Sequence, residues 1–488
     1  MTAIAGIINH PDSKPKTTAM LDAMKYRGPD LRNISETKSS CIGAIASDLS
    51  EMRGSGFAEQ GETTVLFDGE IYNKRKENES DANVVLRLYR SFGRTFPAHL
   101  EGVFACAIMH RDELIMARDS FGVRPLYFGN TTETAFCFAS EMKALIGLSN
   151  NVEEVLPGTT VSSTHGVAGY IPDTPSVTIP DTPREAADML RTLLLKSVEK
   201  RLADGAVGVC LLSGGMDSSI IAAAVKKLGT NIPLLTVGFE KNAPDVENAK
   251  IVAEYLNMKH EIRIFTAEEI EKLVPKAVRS MESFDEDCVS GTISNLFASE
   301  LAAKFTSCIL SGEGADELFG GYHLIKAIPG GTGRLKIMQR LLAISYNTAL
   351  QRLDRSMTAN SINYRTPFLD TDVAAFAMHL PVDWKIRRAE NGDLIEKWIL
   401  REAFKDFLPE SIYKRIKLRF SSGTGTDSVM DGIAESHVST QEFKTQPKTT
   451  PEGYILNSPK ELWYYRLFKE QFPAPCFEQL VGRWDPNK

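Results

Sequence analysis

Four prolines between Ile171 and Glu185 set the strongest limit on how this chain can fold. The stretch reads IPDTPSVTIPDTPRE, with Pro172, Pro175, Pro180 and Pro183, and it contains PDTP twice. Proline fixes φ and removes a backbone donor, so such a run cannot lie inside a helix or a sheet. It reads as a linker over 172–183, separating a domain at 1–171 from one at 184–488. Thr182-Pro183-Arg184-Glu185 closes it as a helix start, with a capping hydroxyl, proline at the first helical position and glutamate at the third. The helix is predicted to run to about Leu202, with Ala186, Leu190, Leu193, Leu194 and Val198 on one face.

The hydrophobic rhythm differs on the two sides of the linker. Before it come short apolar runs with turns, TAIAGII, TTVLFDG, VFACAIM, ELIMARD and FCFAS, interrupted by helical stretches around 17–24 and 81–91. That pattern predicts an α+β domain on antiparallel strands. After it, AVGVCLL (206–212) reads as a buried strand and SSIIAAAVKKLG as a helix closed by Gly229. IPLLTVGF, HEIRIF and SCIL (307–310) are further strands, alternating with helices, one of which starts at the capped Thr266-Ala267-Glu268-Glu269. Continuous apolar strands alternating with helices predict a doubly wound parallel sheet. Beyond about Gly320 the pattern is mostly helical, and the polar tract 437–452 is expected to be a mobile surface loop.

Composition excludes several classes. At 488 residues, and roughly 150 per domain, two or three domains are expected. A net charge of −7 gives no global field for nucleic acid or anionic membrane. Seven scattered cysteines without a CxxC pair and eight dispersed histidines suggest neither a disulfide framework nor a zinc site. The opening MTAIAGIINH has no positive charge before Lys14 and is cut short by His10-Pro11-Asp12, unlike an export signal. No run approaches the ~18 apolar residues of a membrane span. A cytoplasmic protein is expected.

The most informative stretch is Leu212-Ser213-Gly214-Gly215-Met216-Asp217-Ser218-Ser219, where the first strand of the second domain turns into its helix. Two glycines let the backbone curl, the helix start offers free N–H groups to an anion, and three serines add hydroxyls. The loop is neither a Walker A motif nor GxGxxG. It has the SGGxDS pattern of the ATP pyrophosphatases, enzymes that cut ATP between the α- and β-phosphates. Asp217 suits Mg²⁺, which favours carboxylate and phosphate oxygen together. A second strand end, SCILSGEGADELFGGY (307–322), brings Ser311, Gly312, Glu313, Asp316 and Glu317 to the carboxyl edge of the same sheet, where such sheets bind ligands. Asp316 is the expected second metal ligand.

VGVCLLSGGMDSS, LTVGF, LSGEGADELFGGY, DRSMTANSINYRTPFLD and EKWILREAF…LPESIYKRIKLRF resemble, in order, the motifs of the glutamine-hydrolysing asparagine synthetase family. YRGPD, FDGEIYN, ESDANVVL, LEGVFACAI, RDSFGVRPLYFG and SEMKAL resemble its class II glutamine amidotransferase domain. The resemblance implies an N-terminal Ntn-type antiparallel sandwich and a C-terminal sheet of the adenine nucleotide α-hydrolase type with a helical C-terminal part. It implies a ligase that activates a carboxylate as an acyl-adenylate and transfers nitrogen to it. It also implies that Leu212 and Val237 contact adenine, that Ser311 and Gly312 bind ATP, and that Lys417 faces the phosphates. ATP and Mg²⁺ are the implied cofactors, a small carboxylate and ammonia or an amine the partners, and a homodimer the assembly to test.

Three departures fall in the amidotransferase pocket. The family's nucleophilic cysteine is Thr2, a weaker nucleophile near neutral pH. Its Asn-Gly-Glu reads Asp68-Gly69-Glu70, and a carboxylate donates nothing to an oxyanion. The segment SCIGAIASDLSEM contains no arginine where the family holds glutamine's α-carboxylate. Gly69, Glu70 and Asp81 keep their matching positions. In the synthetase half, the family's Glu beside the acyl substrate becomes Asn363, two residues before Arg365, and both are expected at the acyl pocket. The lactam-closing glutamate of related β-lactam synthetases falls on Ile395, with Glu396 next to it. The expected function is an AMP-forming amide ligase using ammonia or another amine. The alternatives are a glutamine-dependent asparagine synthetase working through Thr2, a β-lactam or carbapenam synthetase-like enzyme, and a non-catalytic nucleotide-binding paralogue.

Overall fold

The antiparallel rhythm of the first part becomes two stacked sheets. The computed structural model of the protein describes residues 1–47, 54, 56–131, 135–173, 177–415 and 426–484. Its first strands are β1 Thr2–Ile8, β2 Leu31–Glu36, β3 Cys41–Ala46, β4 Phe57–Gln60, β5 Thr63–Ile71 and β6 Gly102–His110. They are followed by β7 Glu113–Arg118, β8 Tyr127–Thr131, β9 Phe136–Ala139, β10 Ser149–Glu154, β11 Thr159–Ser162 and β12 Gly166–Gly169. One sheet has the order β10-β8-β9-β1-β3-β2 and the other β12-β11-β7-β6-β5-β4.

Strand β1 shows why an apolar opening was needed. It pairs antiparallel with β3 and β9, and all seven of its residues are buried. Alternate side chains leave opposite faces of a strand. Ile4 and Ile8 pack on the second sheet with Leu66 and Met116. Ala3, Ala5 and Ile7 face α1 (Ser13–Ala23), where Met20 and Leu21 meet them. On the far side, α2 (Asp81–Phe92) lays Val84, Val85 and Leu88 on Val65 and Phe104. The result is a helix–sheet–sheet–helix sandwich.

Helix α3 (Pro183–Leu202) begins where the proline pattern places it, with the Thr182 side chain accepting from the Glu185 amide. Residues 174–176 of the linker lie outside the described part of the chain. Strands β13 Val209–Leu211, β14 Leu234–Gly238, β15 His260–Ile264, β16 Cys308–Leu310 and β17 Asn363–Arg365 form an all-parallel sheet of order β15-β14-β13-β16-β17. Helices α4 Met216–Lys227, α5 Pro244–Leu256, α6 Ala267–Met281 and α7 Glu286–Ala302 alternate with these strands. A complete capping box at Thr266 and Glu269 starts α6. Strand β17 is absent from the sequence reading, because three residues of the type Asn-Tyr-Arg carry no strand period. The tract 437–452 is corrected as well. It contains the helix Thr440–Thr445, capped by Ser439 and anchored by the buried Phe443, which a purely polar reading overlooks.

The apolar core of the parallel sheet runs on into the α1 face of the first domain. A buried ionic cluster joins the two beside it. The Arg27 guanidinium pairs with Asp68 at 2.9 Å, Glu141 at 2.9 Å and, across the domains, Asp354 at 2.7 Å. Arg355 pairs with Glu282 at 2.6 Å and with Asp354 at 2.9 Å. Burial opposes the charge on Glu141, but Lys143, Arg355 and Arg27 hold its carboxyl well below the usual carboxylate range. Asp354 is likewise held low against burial by Arg27 and Arg355. A carboxylate with a depressed folded pKa stabilises the fold above its unfolded pKa, and that stability is lost as pH falls through the folded value. The domain interface is therefore expected to weaken once pH drops below 4.5, the ordinary glutamate value. Urea midpoints at neutral pH and at about pH 3.5 check this; equal midpoints would contradict it.

Candidate active site

Two loops at the carboxyl edge of the parallel sheet build the principal cavity, which measures about 180 Å³. The first connects β13 to α4. Gly214 there has φ +74, and a Cβ on it would lie 2.1 Å from the Asp245 carbonyl oxygen, so no other residue fits. The Ser213 amide donates to Ser218 Oγ at 3.0 Å, and Ser219 Oγ donates to the Gly215 carbonyl at 2.7 Å. These hydroxyls hold the loop's curl, while the first turn of α4 directs its unpaired N–H groups at the cavity. Thr236 Oγ1 donates to the Leu212 carbonyl at 2.6 Å and fixes the neighbouring strand end, where Val237 lines the wall.

The second loop follows β16. The Ser311 amide donates to the Arg365 carbonyl at 3.0 Å, extending the ladder to the cavity. Gly312 lets the two loops touch, since a Cβ there would lie 2.9 Å from the Ser218 amide nitrogen. Leu212, Ser213, Gly215, Asp217, Ser218, Val237, Ser311, Gly312, Glu313 and Asp316 all line one space, as the motifs anticipated. Gly214 and Ser219 shape the first loop beneath it. Below the second loop, burial, with Asp316 and Glu313 adding to it, pushes the Glu317 carboxyl up to about 7.

Groups far away in the sequence complete the cavity. Lys397 Nζ donates to Asp217 at 2.7 and 2.6 Å and also pairs with Asp316. Burial pulls against its charge, yet Asp217 and then Asp316 keep it protonated well above the ordinary lysine range. Lys397 sits at φ 53, ψ 30, a left-handed backbone that a lysine adopts at a cost of about 1–3 kcal/mol. Arg415 donates to the Gly214 carbonyl at 2.7 Å and pairs with Asp245 at 2.6 Å. Glu396 lines the wall and is held by Arg401 at 2.8 Å and by Lys326. The sequence reading missed Lys397 and Arg415. The only signal for Lys397 lay in the EKWILREAF motif, which carries no information about its backbone angles. Lys417 lies outside the described residues.

A second, smaller cavity, about 70 Å³, lies between the domains at the amino edge of the same sheet. Thr2, Asp68, Gly69, Glu70 and Asp81 line it, and so do Asn363 and Arg365. Those last two were expected in the acyl pocket; the structure places them here instead. Residues 363 and 365 are two apart on β17, so their side chains leave the same face, toward the first domain. Asn363 donates to Glu70 at 2.7 Å and accepts from Arg124 at 2.6 Å. Arg365 pairs with Glu70 at 2.8 Å and with Asp204 at 2.6 Å. Arg75 pairs with Asp81. Thr2 Oγ1 donates to Asp68 Oδ1 at 2.7 Å, while the other Asp68 oxygen takes Arg27. The Met1 ammonium donates to Ser47, and burial lowers its pKa to about 6.

Comparison with known proteins identifies the family. The Asparagine synthase family profile matches residues 189–339 and 328–472, and the Glutamine amidotransferase domain profile matches 1–165. A glutamine-hydrolysing asparagine synthetase 3 from Arabidopsis thaliana is 32% identical over 453 residues, covering 86% of this chain and 77% of the relative. The glutamine-hydrolysing enzyme of Zea mays is 31% identical over 467 residues, 88% of this chain and 78% of its own. Asparagine synthetase 2 of Arabidopsis thaliana is 30% identical over 524 residues, 98% of this chain and 88% of its own. Among the described residues no helix is long and apolar enough to cross a membrane. The chain thus belongs to the asparagine synthetase family, ATP-dependent carbon–nitrogen ligases that release AMP and pyrophosphate.

Proposed function

We propose that this member of the family forms an amide from a small carboxylic acid and free ammonia or another amine, without hydrolysing glutamine. The observation that carries this reading is the contrast between the two cavities. In the larger one, loops from two strand ends converge on one cationic point. In the smaller one, the nucleophile position holds a hydroxyl tied to a carboxylate.

In the larger cavity a carboxylate substrate attacks the α-phosphorus of ATP and becomes an acyl-adenylate, a far better electrophile than the acid. Leu212 and Val237 flank the base. Ser213, the Gly215–Ser218 turn and Ser311 supply donors to the phosphates where charge accumulates on the departing pyrophosphate. Asp217 and Asp316 fit a divalent cation, because one ammonium already reaches both of them. Mg²⁺ held by these two carboxylates and by phosphate oxygen would neutralise that charge. Lys417 is assigned to the phosphates and the adenylate by family resemblance.

The smaller cavity is poorly made for glutamine. An α-ammonium needs an available carboxylate, but Glu70 faces Arg365 and Asp81 faces Arg75. Asp68 places negative charge where a tetrahedral oxyanion would form. The seven cysteines, all unpaired and buried, suit a reducing compartment, and the cytosol is the location we assign.

The test is exchange of labelled pyrophosphate into ATP across a panel of carboxylic acids, aspartate first, then amide formation with labelled ammonium or labelled glutamine. Ammonium is expected to support turnover and glutamine to add nothing, with Thr2→Ala equal to the wild type on both. A loss in Thr2→Ala confined to glutamine would restore the glutamine-dependent reading. Absence of exchange with every acid would favour the non-catalytic paralogue.

A further inference from the structure

The Lys397 ammonium occupies the place between Asp217 and Asp316 that a divalent cation needs. It is only 3% exposed, while Asp217 and Asp316 face the cavity at 19% and 16%. The fold makes room for it deliberately. A Cβ at Gly321 would lie 1.8 Å from an Asp316 oxygen and 2.2 Å from Lys397 Cε, so any larger residue there would displace the pair. The left-handed backbone at Lys397, at the start of the helix Trp398–Phe404, aims the side chain inward.

Charge decides what happens when metal arrives. Two carboxylates and one ammonium leave the cluster at −1. A divalent ion added to the same point would put three positive charges against two negative, at contact distance. The two cations exclude each other there. Lysine has a flexible four-carbon stem and a compact charge, so it can leave without the protein refolding. The nearest anions to receive it would be the phosphates lying on the two loops.

We propose that Lys397 is an exchangeable counter-ion: it fills the cation site of the nucleotide-free protein, excludes free divalent metal, and transfers to phosphate when metal enters already bound to nucleotide. This rests on the reading of Asp217 and Asp316 as the carboxylates of the metal–nucleotide site. Metal and nucleotide then enter as one unit, and the acidic pair is never left unneutralised.

Mn²⁺ binding, followed by its paramagnetic signal on wild type, Lys397→Met and Lys397→Arg, tests the idea. Without nucleotide the wild type should show weak binding, and a non-hydrolysable ATP analogue should create the site. Lys397→Met should raise nucleotide-free Mn²⁺ affinity by about tenfold or more, shrinking the coupling between the ligands, and Lys397→Arg should restore exclusion. Unchanged affinity in Lys397→Met overturns the proposal. So does a wild-type Mn²⁺ site equally tight with and without the analogue, a result that decides the matter even if Lys397→Met fails to fold. Failure of the wild type to bind Mn²⁺ even with the analogue overturns the metal–nucleotide reading beneath it.

Discussion

Replacing Asp217 by asparagine is expected to lower exchange of pyrophosphate into ATP by about a hundredfold or more while leaving the protein folded. The change is nearly isosteric, so the packing of α4 is untouched. What is lost is one of the two carboxylates proposed to hold the metal, and the charge that draws Lys397 into place. The cost to the fold is small, because Asp217 stands in the first turn of α4, where an acidic residue contributes about 0.3–1 kcal/mol against the helix dipole. Asp316 still pairs with Lys397 in the variant. Circular dichroism and thermal melting should match the wild type, and exchange should fall for every acid alike. Near-normal exchange would remove Asp217 from the chemistry.

The second large effect is on stability. Arg27→Met is expected to cost about 3–5 kcal/mol, because the buried carboxylates around Arg27 lose the cation they share. Arg27 is fully buried and contacts Asp68, Glu141 and Asp354, the last from the other domain. A methionine fills much of the volume but donates no hydrogen bond, so what it leaves behind is uncompensated charge. Arg111→Met is the control. Its partner Glu62 is as exposed as Arg111 itself, 67% and 69%, and such surface pairs contribute about 0–1 kcal/mol. Urea unfolding of both variants separates the cases. A similar, small loss in each would mean that the buried cluster is not what joins the domains.

Both predictions depend on residues whose roles were unequally legible. Asp217 stood out because the loop that carries it is local: glycine, serine and aspartate lie within eight consecutive residues, and one strand–turn–helix orients them all. The same locality made the linker prolines, the Thr182 cap and the Thr266 capping box readable. Arg27 belongs to the motif YRGPD, yet nothing local discloses that its partners include Asp354.

Asn363 and Arg365 show where linear reading stops. The family resemblance implies the acyl pocket for them, but their direction depends on β17, a strand that forms on the edge offered by β16. Once Cys308 pairs with Asn363, alternation turns both side chains toward Glu70 and away from the loops of the larger cavity. The sequence alone determined the alternation of the chain's second half and the two glycine-rich loops that line one cavity, since each is written in neighbouring residues. Tertiary structure alone decided that Lys397 reaches across 180 residues to Asp217, and that Arg365 neutralises Glu70 from the other domain. Pairing of buried charge is a matter of distance in space, and a linear order of residues does not carry that distance.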